Sequence, residues 1–298
     1  MAVPLKQEIH RIATSELGFD DCRFTDPFLS TELDEYRDLV SRGEYGDMGY
    51  LARHLPFKEN PELLLPGVKS AIVVIKNYKN TDEKHVSNTR KIARYAVGKD
   101  YHIVIKDQLL ALETQIKTLA PDIECYIGVD SRPLAERSLA LKAGIGFRGR
   151  NTMVIKPRLG SYFLIGIMLT TYKFESDPPF KGSCGACRLC VDACPTGAIS
   201  PDGELTPTAC ISYQTIEQKT PVDPGQLQKF NGWTFGCDIC QEVCPFNHVK
   251  TPLTTWPEFM PESGVGFNFL DEYNGGELSI PKTSAMHRSR KRVAQNLT

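Results

Sequence analysis

The stretch CGACRLCVDACP, residues 184–195, decides how the second half of this chain folds. Four cysteines fall within eleven residues, and a proline follows the last of them. This is the C-x2-C-x2-C-x3-C-P pattern of bacterial ferredoxins, in which three sulfurs bind one iron-sulfur cube and the fourth sulfur binds a second cube. The pattern therefore predicts that ligands of a second cube lie elsewhere in the chain.

Cysteines further along the chain complete that second cube. Residues 237–245 read CDICQEVCP, and Cys210 stands alone between the two runs. Only one assignment respects the crossing of the fourth ligands. It places Cys184, Cys187, Cys190 and Cys244 on one cluster, and Cys194, Cys210, Cys237 and Cys240 on the other. We therefore predict a ferredoxin-like module whose two 4Fe-4S clusters act as a short electron wire.

Zinc binding and disulfide bonding are alternatives that the cysteines leave open. Zinc also binds C-x2-C pairs in closed sites of four ligands, although three cysteines within seven residues are unusual for zinc. A disulfide framework is typical of small secreted domains, and the N-terminus does not resemble a signal peptide. The spacing favours the two-cluster interpretation over both. Cys22 and Cys125 lie among apolar or strand-like neighbours and are assigned no role.

The composition is that of an ordinary globular chain. It has 298 residues, 41% hydrophobic and 24% charged, which is enough for two domains with a buried core. The longest apolar stretch, residues 162–169, is far shorter than the ~20 residues that cross a bilayer, so we expect no membrane association and a cytoplasmic location. Net charge is -1, but residues 142–158 and 281–298 each contain five Lys or Arg and no acid. These two basic patches could hold phosphates, although a solvated face is the commoner role of such residues.

Helical and strand-like spacings alternate over the N-terminal half of the chain. They predict helices at residues 5–17, 101–119 and 134–143, and strands at residues 71–75, 123–127, 152–155 and 162–171. Strands that alternate with helices indicate an α/β domain, which we assign to residues 1–174. A Pro-containing linker then begins the ferredoxin-like module, residues 175–250. Residues 251–298 are predicted to form a loop-rich extension with a basic tail.

Residues 144–149 read GIGFRG and match the G-x-G-x-x-G fingerprint of dinucleotide-binding folds. That fingerprint must follow a strand and open a helix, whereas here a predicted helix precedes the glycines and a predicted strand follows them. We therefore interpret the glycines as a tight turn that lets the backbone approach a bulky group closely. No nicotinamide or flavin site is predicted there.

Five motifs, in order along the chain, resemble the signatures of epoxyqueuosine reductases. They read ARYAVGKDYH at 93–102, GVDSRPLAER at 128–137, AGIGFRGRN at 143–151, CISY at 210–213 and GCDIC at 236–240. The resemblance extends over residues 50–250. It implies an α/β (α+β) cobalamin-binding domain fused to a bacterial-ferredoxin-like module with two 4Fe-4S clusters.

The family resemblance also implies an activity. Members of the family reduce the epoxide of epoxyqueuosine, at the wobble position of tRNA, to the alkene of queuosine, and water leaves. Their clusters pass electrons to a cobalamin that is bound base-off between the two domains. For this chain the resemblance implies cobalamin, two 4Fe-4S clusters, the anticodon stem-loop of queuosine-type tRNAs as substrate, and an external one-electron donor such as flavodoxin or ferredoxin.

Contacts to the corrinoid can be carried over by position from the same resemblance. They are Arg53, Tyr95, His102, Asp130, Val154, Ile165, Ser212, Cys237 and Asp238. The resemblance also implies that the segment 95–102 lines the same cavity. A histidine ligand to cobalt is not expected, because the D-x-H-x-x-G loop that would supply it is incomplete. Asp100 and His102 are present, but Ile105 takes the place of the glycine.

Asp130 is the residue to which the resemblance assigns catalysis. Breaking an epoxide leaves an alkoxide, which is a poor leaving group unless a general acid protonates it. A carboxyl kept neutral by an apolar pocket and a nearby corrin could supply that proton. Residues 130–133 read DSRP, which is also a good helix N-cap with proline in the first turn. The residues alone favour the cap, the resemblance favours the acid, and the two roles do not exclude each other.

Two other functions fit parts of the pattern. A reductive dehalogenase that acts on a small molecule shares cobalamin and two clusters, but such enzymes usually carry a twin-arginine export signal, which this chain lacks. A non-catalytic electron carrier of the ferredoxin type needs neither a corrinoid nor Asp130. Many family members also continue into a helical-repeat domain that binds tRNA, so we expect this chain to be a short form or a shortened one. In a short form the basic patches would bind phosphates, and affinity for tRNA would depend strongly on salt.

Overall fold

A four-stranded sheet forms the centre of the first half of the chain. The computed structural model describes residues 4–82, 89–248, 250–275 and 277–297. The strands in these residues are β1 Asp21–Thr25, β2 Ser70–Asn77, β3 Lys91–Ile92, β4 Cys125–Gly128, β5 Phe147–Arg148, β6 Val154–Ile155, β7 Phe163–Thr170 and β8 Trp233–Phe235. The sheet has the order β1, β2, β7, β4, and each neighbouring pair is antiparallel.

Helices flank this sheet and run through the cluster half of the chain. The α-helices are α1 Leu5–Arg11, α2 Asp34–Arg42, α3 Tyr50–Glu59, α4 Tyr101–Leu119, α5 Glu136–Lys142, α6 Leu189–Ala193, α7 Ile211–Ile216, α8 Pro224–Leu227, α9 Ile239–Glu242, α10 Pro245–His248 and α11 Arg290–Leu297. A π-helical turn, Ile12–Glu16, continues α1. Short 3-10 turns lie at 31–33, 61–63, 94–96, 207–209, 228–230, 257–259, 261–263 and 285–287. No helix of the described part of the chain combines the length and the apolar character that crossing a bilayer requires.

The sheet divides the core into two layers, because successive side chains of a strand point to opposite faces. On one face Ile72 of β2 belongs to the same buried cluster as Ile105 of α4. On the other face Val73 clusters with Leu139 of α5. Gly166 of β7 lets α4 approach the sheet closely, since a Cβ at this position would lie 2.9 Å from Cγ2 of Ile105. The long helix α4 is therefore held directly against the central strands, and its first turn is fixed at one end of the sheet.

Most of the predicted elements are present in the structure. Helix α4 begins and ends at the predicted residues because Asp100 caps its first turn and Pro121 follows its end. The predicted helix at 5–17 is α1 with its π-helical turn. A mixed α/β architecture is confirmed, but the sheet is antiparallel and not built of βαβ units, because a short buried apolar run does not reveal strand direction. Strand β1 and helices α2 and α3 are not among the predicted elements.

The glycine-rich stretch 144–149 follows α5 and contains β5, which pairs antiparallel with β6. A Cβ at Gly146 would lie 2.1 Å from the backbone oxygen of Ile155. The predicted close approach is therefore present here, but it is an approach to the chain's own backbone.

The C-terminal extension is irregular up to α11, as predicted, yet it does not form a separate unit. Leu270, Met286 and Val293 of the extension share one buried cluster with Ile92 of β3 and Phe235 of β8. Strands β3 and β8 also pair with each other in parallel. All three predicted segments therefore contribute to one core, and the boundaries assigned to them remain predictions.

Trp256 anchors the extension to the sheet. Its side chain is 8% exposed, and its ring centroid lies 5.2 Å from that of Phe19 and 5.6 Å from that of Phe259. The ammonium of Lys76, on β2, lies 5.0 Å from the Trp256 ring and donates a 2.7 Å hydrogen bond to Oγ1 of Thr255. Burial lowers the pKa of Lys76, so these contacts support a cation in a largely desolvated place.

We expect Trp256→Ala to lower the free energy of unfolding by about 3 kcal/mol, because it removes a large buried ring and leaves a cavity beneath the extension. Urea denaturation followed by far-UV circular dichroism, under anaerobic conditions, measures the change. Leu253→Ala is the matched control in the same segment, since Leu253 is 40% exposed. Its effect should stay within about 0.5 kcal/mol. Equal losses in the two variants would contradict an anchoring role for Trp256.

Candidate functional site

Four cysteines line one cavity in the cluster half. They are Cys184, Cys187, Cys190 and Cys244, and Ile155, Leu189 and Phe246 complete the apolar wall. Arg150 closes one side. Its backbone N–H lies 3.4 Å from Sγ of Cys184, and its guanidinium donates to the carbonyl of Cys187 at 3.0 Å. The cavity thus offers four thiols, an amide directed at sulfur and few competing polar groups.

The other four cysteines form a second group next to the first. Burial, the largest influence, raises the pKa of the Cys210 thiol, and the charge of Cys194 raises it further. Burial likewise raises the pKa of Cys240, with further contributions from the charges of Cys210, Asp238, Cys190 and Cys194. The thiol of Cys237 responds in the same way to burial and to Cys240. These mutual influences indicate that the thiols lie close together.

The two groups of thiols suit iron-sulfur cubes. Each cube takes four thiolates, and its hydrogen bonds and burial tune its potential. Burial raises the pKa of most of these thiols, so they need a bound cation to become thiolates at neutral pH. The donor set and its surroundings therefore fit two 4Fe-4S clusters, while the assignment of each ligand stays a prediction.

Asp130 is the centre of a second constellation, in the first half of the chain. One carboxylate oxygen, Oδ2, accepts a 2.7 Å hydrogen bond from Oη of Tyr101 and lies 3.1 Å from Nε2 of His102. The other ring nitrogen of His102, Nδ1, lies 2.7 Å from Oδ1 of the buried Asp100. Arg288, from the C-terminal extension, reaches within 3.5 Å of the second oxygen of Asp100. Charges of alternating sign therefore connect the extension to Asp130.

The alternating charges around His102 and Asp130 determine which of these two residues carries the proton. Desolvation, the largest influence, raises the pKa of Asp130, but hydrogen bonds from His102 and Tyr101 bring it below its ordinary value overall. Burial lowers the pKa of His102, but its hydrogen bonds to Asp100 and Asp130 raise it above its ordinary value. The two pKa shifts are opposite in direction, so they favour an ion pair of a His102 imidazolium with an Asp130 carboxylate. The hypothesis of a neutral carboxyl in an apolar pocket does not describe this state, because two donors face the carboxylate.

Asp130 lies in an open recess. Its side chain is 61% exposed, yet desolvation is the largest influence on its pKa, so protein surrounds an opening that water can enter. Its backbone has a φ of 46°, in the left-handed region that non-glycine residues seldom adopt. Helix α5 begins only at Glu136, and its N-cap residue is Ala135, which makes no side-chain cap. The predicted N-cap role of Asp130 is therefore wrong, because its side chain is directed at α4 instead.

Glu136 and Lys58 lie behind the Asp130 backbone. The N–H of Asp130 donates to Oε1 of Glu136, and Nζ of Lys58 donates to the carbonyl of Leu134. Burial, followed by the charge of Asp130, raises the pKa of Glu136 to about 8. Burial lowers the pKa of Lys58 to about 8, against the opposing influence of Glu136. Both side chains are thus bound to the loop that carries Asp130.

Some of the predicted corrinoid contacts lie together. Tyr95 packs on Tyr101, with ring centroids 5.8 Å apart, and the charges of Asp130 and Asp238 both act on its pKa. Tyr95 therefore lies between the Asp130 recess and the cysteine loop that contains Cys237. Asp238 itself is buried and accepts a 2.8 Å hydrogen bond from the backbone N–H of Arg94.

Other predicted contacts do not join this group directly. Arg53 is exposed on α3, and Ser212 lies in the first turn of α7, next to Cys210. Val154 is buried in the core layer that Ile165 packs against. No contact of these four side chains with Asp130 is part of the described structure, and their roles stay predictions.

Several residues of the site are not among the predicted ones. Asp100 and Tyr101 lie in the segment 95–102, which the resemblance already implied to line the cavity, whereas Glu136 was not predicted although it lies inside the motif at 128–137. Lys58 and Arg288 come from α3 and from the extension, far away in sequence. No local pattern indicates them.

The two basic patches offer fewer free cations than the sequence suggests. In the first, Arg148 pairs with Glu35 at 2.9 Å and Lys156 pairs with Asp21 at 2.7 Å. In the tail, Arg292 is buried and donates to the carbonyl of Gln214. These charges are used within the chain's own fold, so fewer of them are available for the phosphate binding that a short form would need.

Comparison with known proteins identifies relatives over both halves. The family model described as "Epoxyqueuosine reductase QueG, DUF1730" matches residues 58–131, and the one described as "4Fe-4S double cluster binding domain" matches residues 183–247. The chain is 38% identical to an epoxyqueuosine reductase of Leadbetterella byssophila over 93% of this chain and 91% of that protein. It is 38% identical to one of Cyclobacterium marinum over 95% and 92%.

Solved structures of the same name are similar throughout. An epoxyqueuosine reductase from Bacillus subtilis, described with its catalytic Asp loop swung out of the active site, has a TM-score of 0.85 at 32% identity. An epoxyqueuosine reductase with an epoxyqueuosine-modified tRNA-Tyr stem loop has a TM-score of 0.82 at 31% identity. In both cases the match covers 98% of this chain and 80% of the other.

The crossing of the fourth ligands can be tested by iron content. Cys187→Ala and Cys244→Ala should each lose about four of the roughly eight irons, because each removes a ligand of the same cube. Combining these two substitutions should cost no further iron, whereas Cys187→Ala combined with Cys194→Ala should lose nearly all of it. Iron and sulfide analysis of anaerobically purified protein measures this.

Cys125→Ala, at a partly buried cysteine outside both groups, is the control and should keep its iron. If the Cys187 and Cys244 substitutions together removed both clusters, the predicted pairing would be wrong. Zinc in place of iron would exclude the clusters altogether.

Proposed function

The chain belongs to the epoxyqueuosine reductase family, and we propose that it reduces epoxyqueuosine in tRNA to queuosine. The stem-loop complex of a similar structure supports the anticodon stem-loop as the substrate. A tRNA substrate also supports a cytoplasmic location. The observation that carries the proposal is the Asp130 carboxylate, open to a recess, bound to Tyr101 and His102, and separated from the cysteine loop by Tyr95.

The reaction consumes electrons as well as protons. Conversion of an epoxide to an alkene breaks both C–O bonds and releases the oxygen as water, so two electrons and two protons must reach the substrate. Two 4Fe-4S clusters suit this need because each transfers single electrons. An external one-electron donor, such as flavodoxin or ferredoxin, would supply them.

The recess suits a large, flat cofactor. Surrounding protein desolvates Asp130, Glu136 and Lys58, yet the Asp130 side chain is 61% exposed, so the recess is open to an incoming group. Cobalamin bound there would supply a strongly reducing metal next to the substrate. The chain would hold it through residues around the recess, among them Tyr95 and Asp130. Both ring nitrogens of His102 face carboxylates, so His102 would line the recess without serving as a metal ligand.

Asp130 would deliver the proton to the epoxide oxygen. In the structure the proton of the pair is on His102, because two donors stabilise the carboxylate. A substrate that fills the recess expels water, and this increases the desolvation that already acts most strongly on Asp130. The proton then moves from His102 to Asp130, within hydrogen-bond reach of the substrate. Asp100 and Arg288 hold His102 in place during the transfer.

We expect Asp130→Asn to lower turnover of an epoxyqueuosine-containing anticodon stem-loop at least about 100-fold, because an amide cannot donate the proton. Single-turnover assays with chemically reduced enzyme measure the chemical step. Iron content and the optical spectrum of added cobalamin should stay as in the wild type.

Asp122→Asn, at an exposed residue before β4, is the matched control and should keep full turnover. Normal turnover of Asp130→Asn would refute the acid assignment. If the wild type bound no cobalamin and reduced no epoxide, the chain would instead match a ferredoxin-type electron carrier.

The pH dependence of turnover should report His102. Its pKa is raised above the ordinary value of 6.5, so His102 keeps the shared proton to a higher pH than a free imidazole and loses it as pH rises through the raised pKa. Turnover of the wild type should therefore fall on the alkaline side. His102→Gln should be slower and should lack this fall. An alkaline fall that persisted in His102→Gln would instead indicate another group, such as Glu136 or Lys58, whose pKa values lie near 8.

A further inference from the structure

The Asp130 loop, residues 129–135, is held by contacts of two different kinds. Its carboxylate is bound to Tyr101 and His102 of α4, and its backbone is bound to Glu136 and Lys58. The carboxylate contacts must change when Asp130 gains or gives up a proton. The backbone contacts involve an N–H and a carbonyl that take no part in the reaction, so they can persist through the catalytic cycle.

We propose that Glu136 and Lys58 are positioning residues that hold the Asp130 loop in the conformation that presents its carboxylate to the substrate. The inference rests on the proposed role of Asp130. It adds a function for two side chains that touch neither the cysteines nor the Asp130 carboxylate in the described structure.

The positions of the two contacts on the Asp130 loop are the first observation that supports a positioning role for Glu136 and Lys58. Glu136 binds the loop at the N–H of Asp130, and Lys58 binds it four residues later, at the carbonyl of Leu134. Two attachment points on either side of the loop fix both its position and its rotation. One contact alone would leave the loop free to turn. The left-handed backbone of Asp130, with φ of 46°, needs such support because the conformation is unfavourable for a residue with a side chain.

Lys58 is itself firmly held. Its ammonium lies 5.0 Å from the ring centroid of Tyr36, and the Tyr36 hydroxyl donates a 2.8 Å hydrogen bond to the carbonyl of Leu51. Tyr36 is on α2 and Leu51 is on α3, so the two helices and the loop meet at this lysine. A cation over an aromatic ring is stabilised electrostatically even when partly desolvated.

The charge state of Glu136 suits an acceptor next to a carboxylate. A second negative charge beside Asp130 would repel it. The pKa of Glu136 is raised to about 8, so at neutral pH the group is mostly uncharged and its carbonyl oxygen can still accept the N–H of Asp130. Lys58, Arg137 and His102 are the cationic groups that act on this cluster, and Asp130 is its remaining acid.

The test compares Glu136→Ala, Glu136→Gln and Lys58→Met by hydrogen-deuterium exchange and by turnover. Glutamine keeps the acceptor oxygen but cannot ionise, and methionine keeps the apolar stem of lysine without its donor. Glu136→Ala and Lys58→Met should speed exchange of the Asp130 loop about tenfold, because each loses one hydrogen bond that opposes opening. Turnover should fall by a similar factor, with KM little changed. Glu136→Gln should restore both measurements to near the wild-type values.

Lys117→Met, on an exposed ion pair of α4, is the control and should alter neither measurement. Wild-type exchange of the loop in both Glu136→Ala and Lys58→Met would overturn the proposal. So would a Glu136→Gln variant as impaired as Glu136→Ala, because Glu136 would then act through its proton and not as an acceptor. Exchange is measured without substrate, so a chain that reduces no epoxyqueuosine would refute the proposed function and still test the loop contacts.

Discussion

The buried interaction of Arg94 with Asp238 and Glu242 is the constraint on which the arrangement of the two halves depends. The Arg94 side chain is 4% exposed, and its guanidinium lies 2.8 Å from Glu242 and 3.6 Å from Asp238. Its backbone N–H also donates to Asp238. Arg94 leads into Tyr95 and α4, whereas Asp238 stands between Cys237 and Cys240. Buried ion pairs add little net stability, but breaking one is costly, so this interaction fixes a geometry.

The C-terminal extension reinforces the same geometry from outside. Thr283 accepts a 2.6 Å hydrogen bond from the N–H of Asp100, and Arg288 approaches the Asp100 carboxylate. Further on, Asn296 of α11 donates to the carbonyls of Thr215 on α7 and Thr234 on β8, at 2.9 Å each. The segment 283–296 thus contacts and stabilises both the first turn of α4 and the elements around the cysteine loop. Its arginines serve this purpose, and for this reason a patch that reads as basic in sequence is partly neutralised in the fold.

Sequence reasoning was most successful where the chemistry is local. The cysteine spacing predicts the double-cluster module, and apolar periodicity that ends before Pro121 predicts α4 to the residue. It failed where residues that are distant in sequence determine the local structure. The direction of the strands depends on which edges pair, and the Asp130 loop, with its left-handed backbone, is contacted by Glu136 and by the distant Lys58. Residues 130–133 therefore suggested a helix cap for Asp130 that the folded loop does not form, and the catalytic role of Asp130 stays a proposal.

Tyr95 lies between the cysteine loop, which under the proposed function would supply electrons, and Asp130, which would supply a proton. Desolvation raises its pKa, and the charges of Asp130 and Asp238 raise it further, so its phenol stays neutral. A neutral ring packed between two acids keeps their charges apart without adding one of its own. Its ring also contacts those of Tyr101, beside the proton donor, and Phe235, at the end of β8 before the cysteine loop. Both contacts of Tyr95 are aromatic packing, which resists movement. A displacement of either half of the chain would therefore displace the other, and the recess keeps its shape only while both halves are in place.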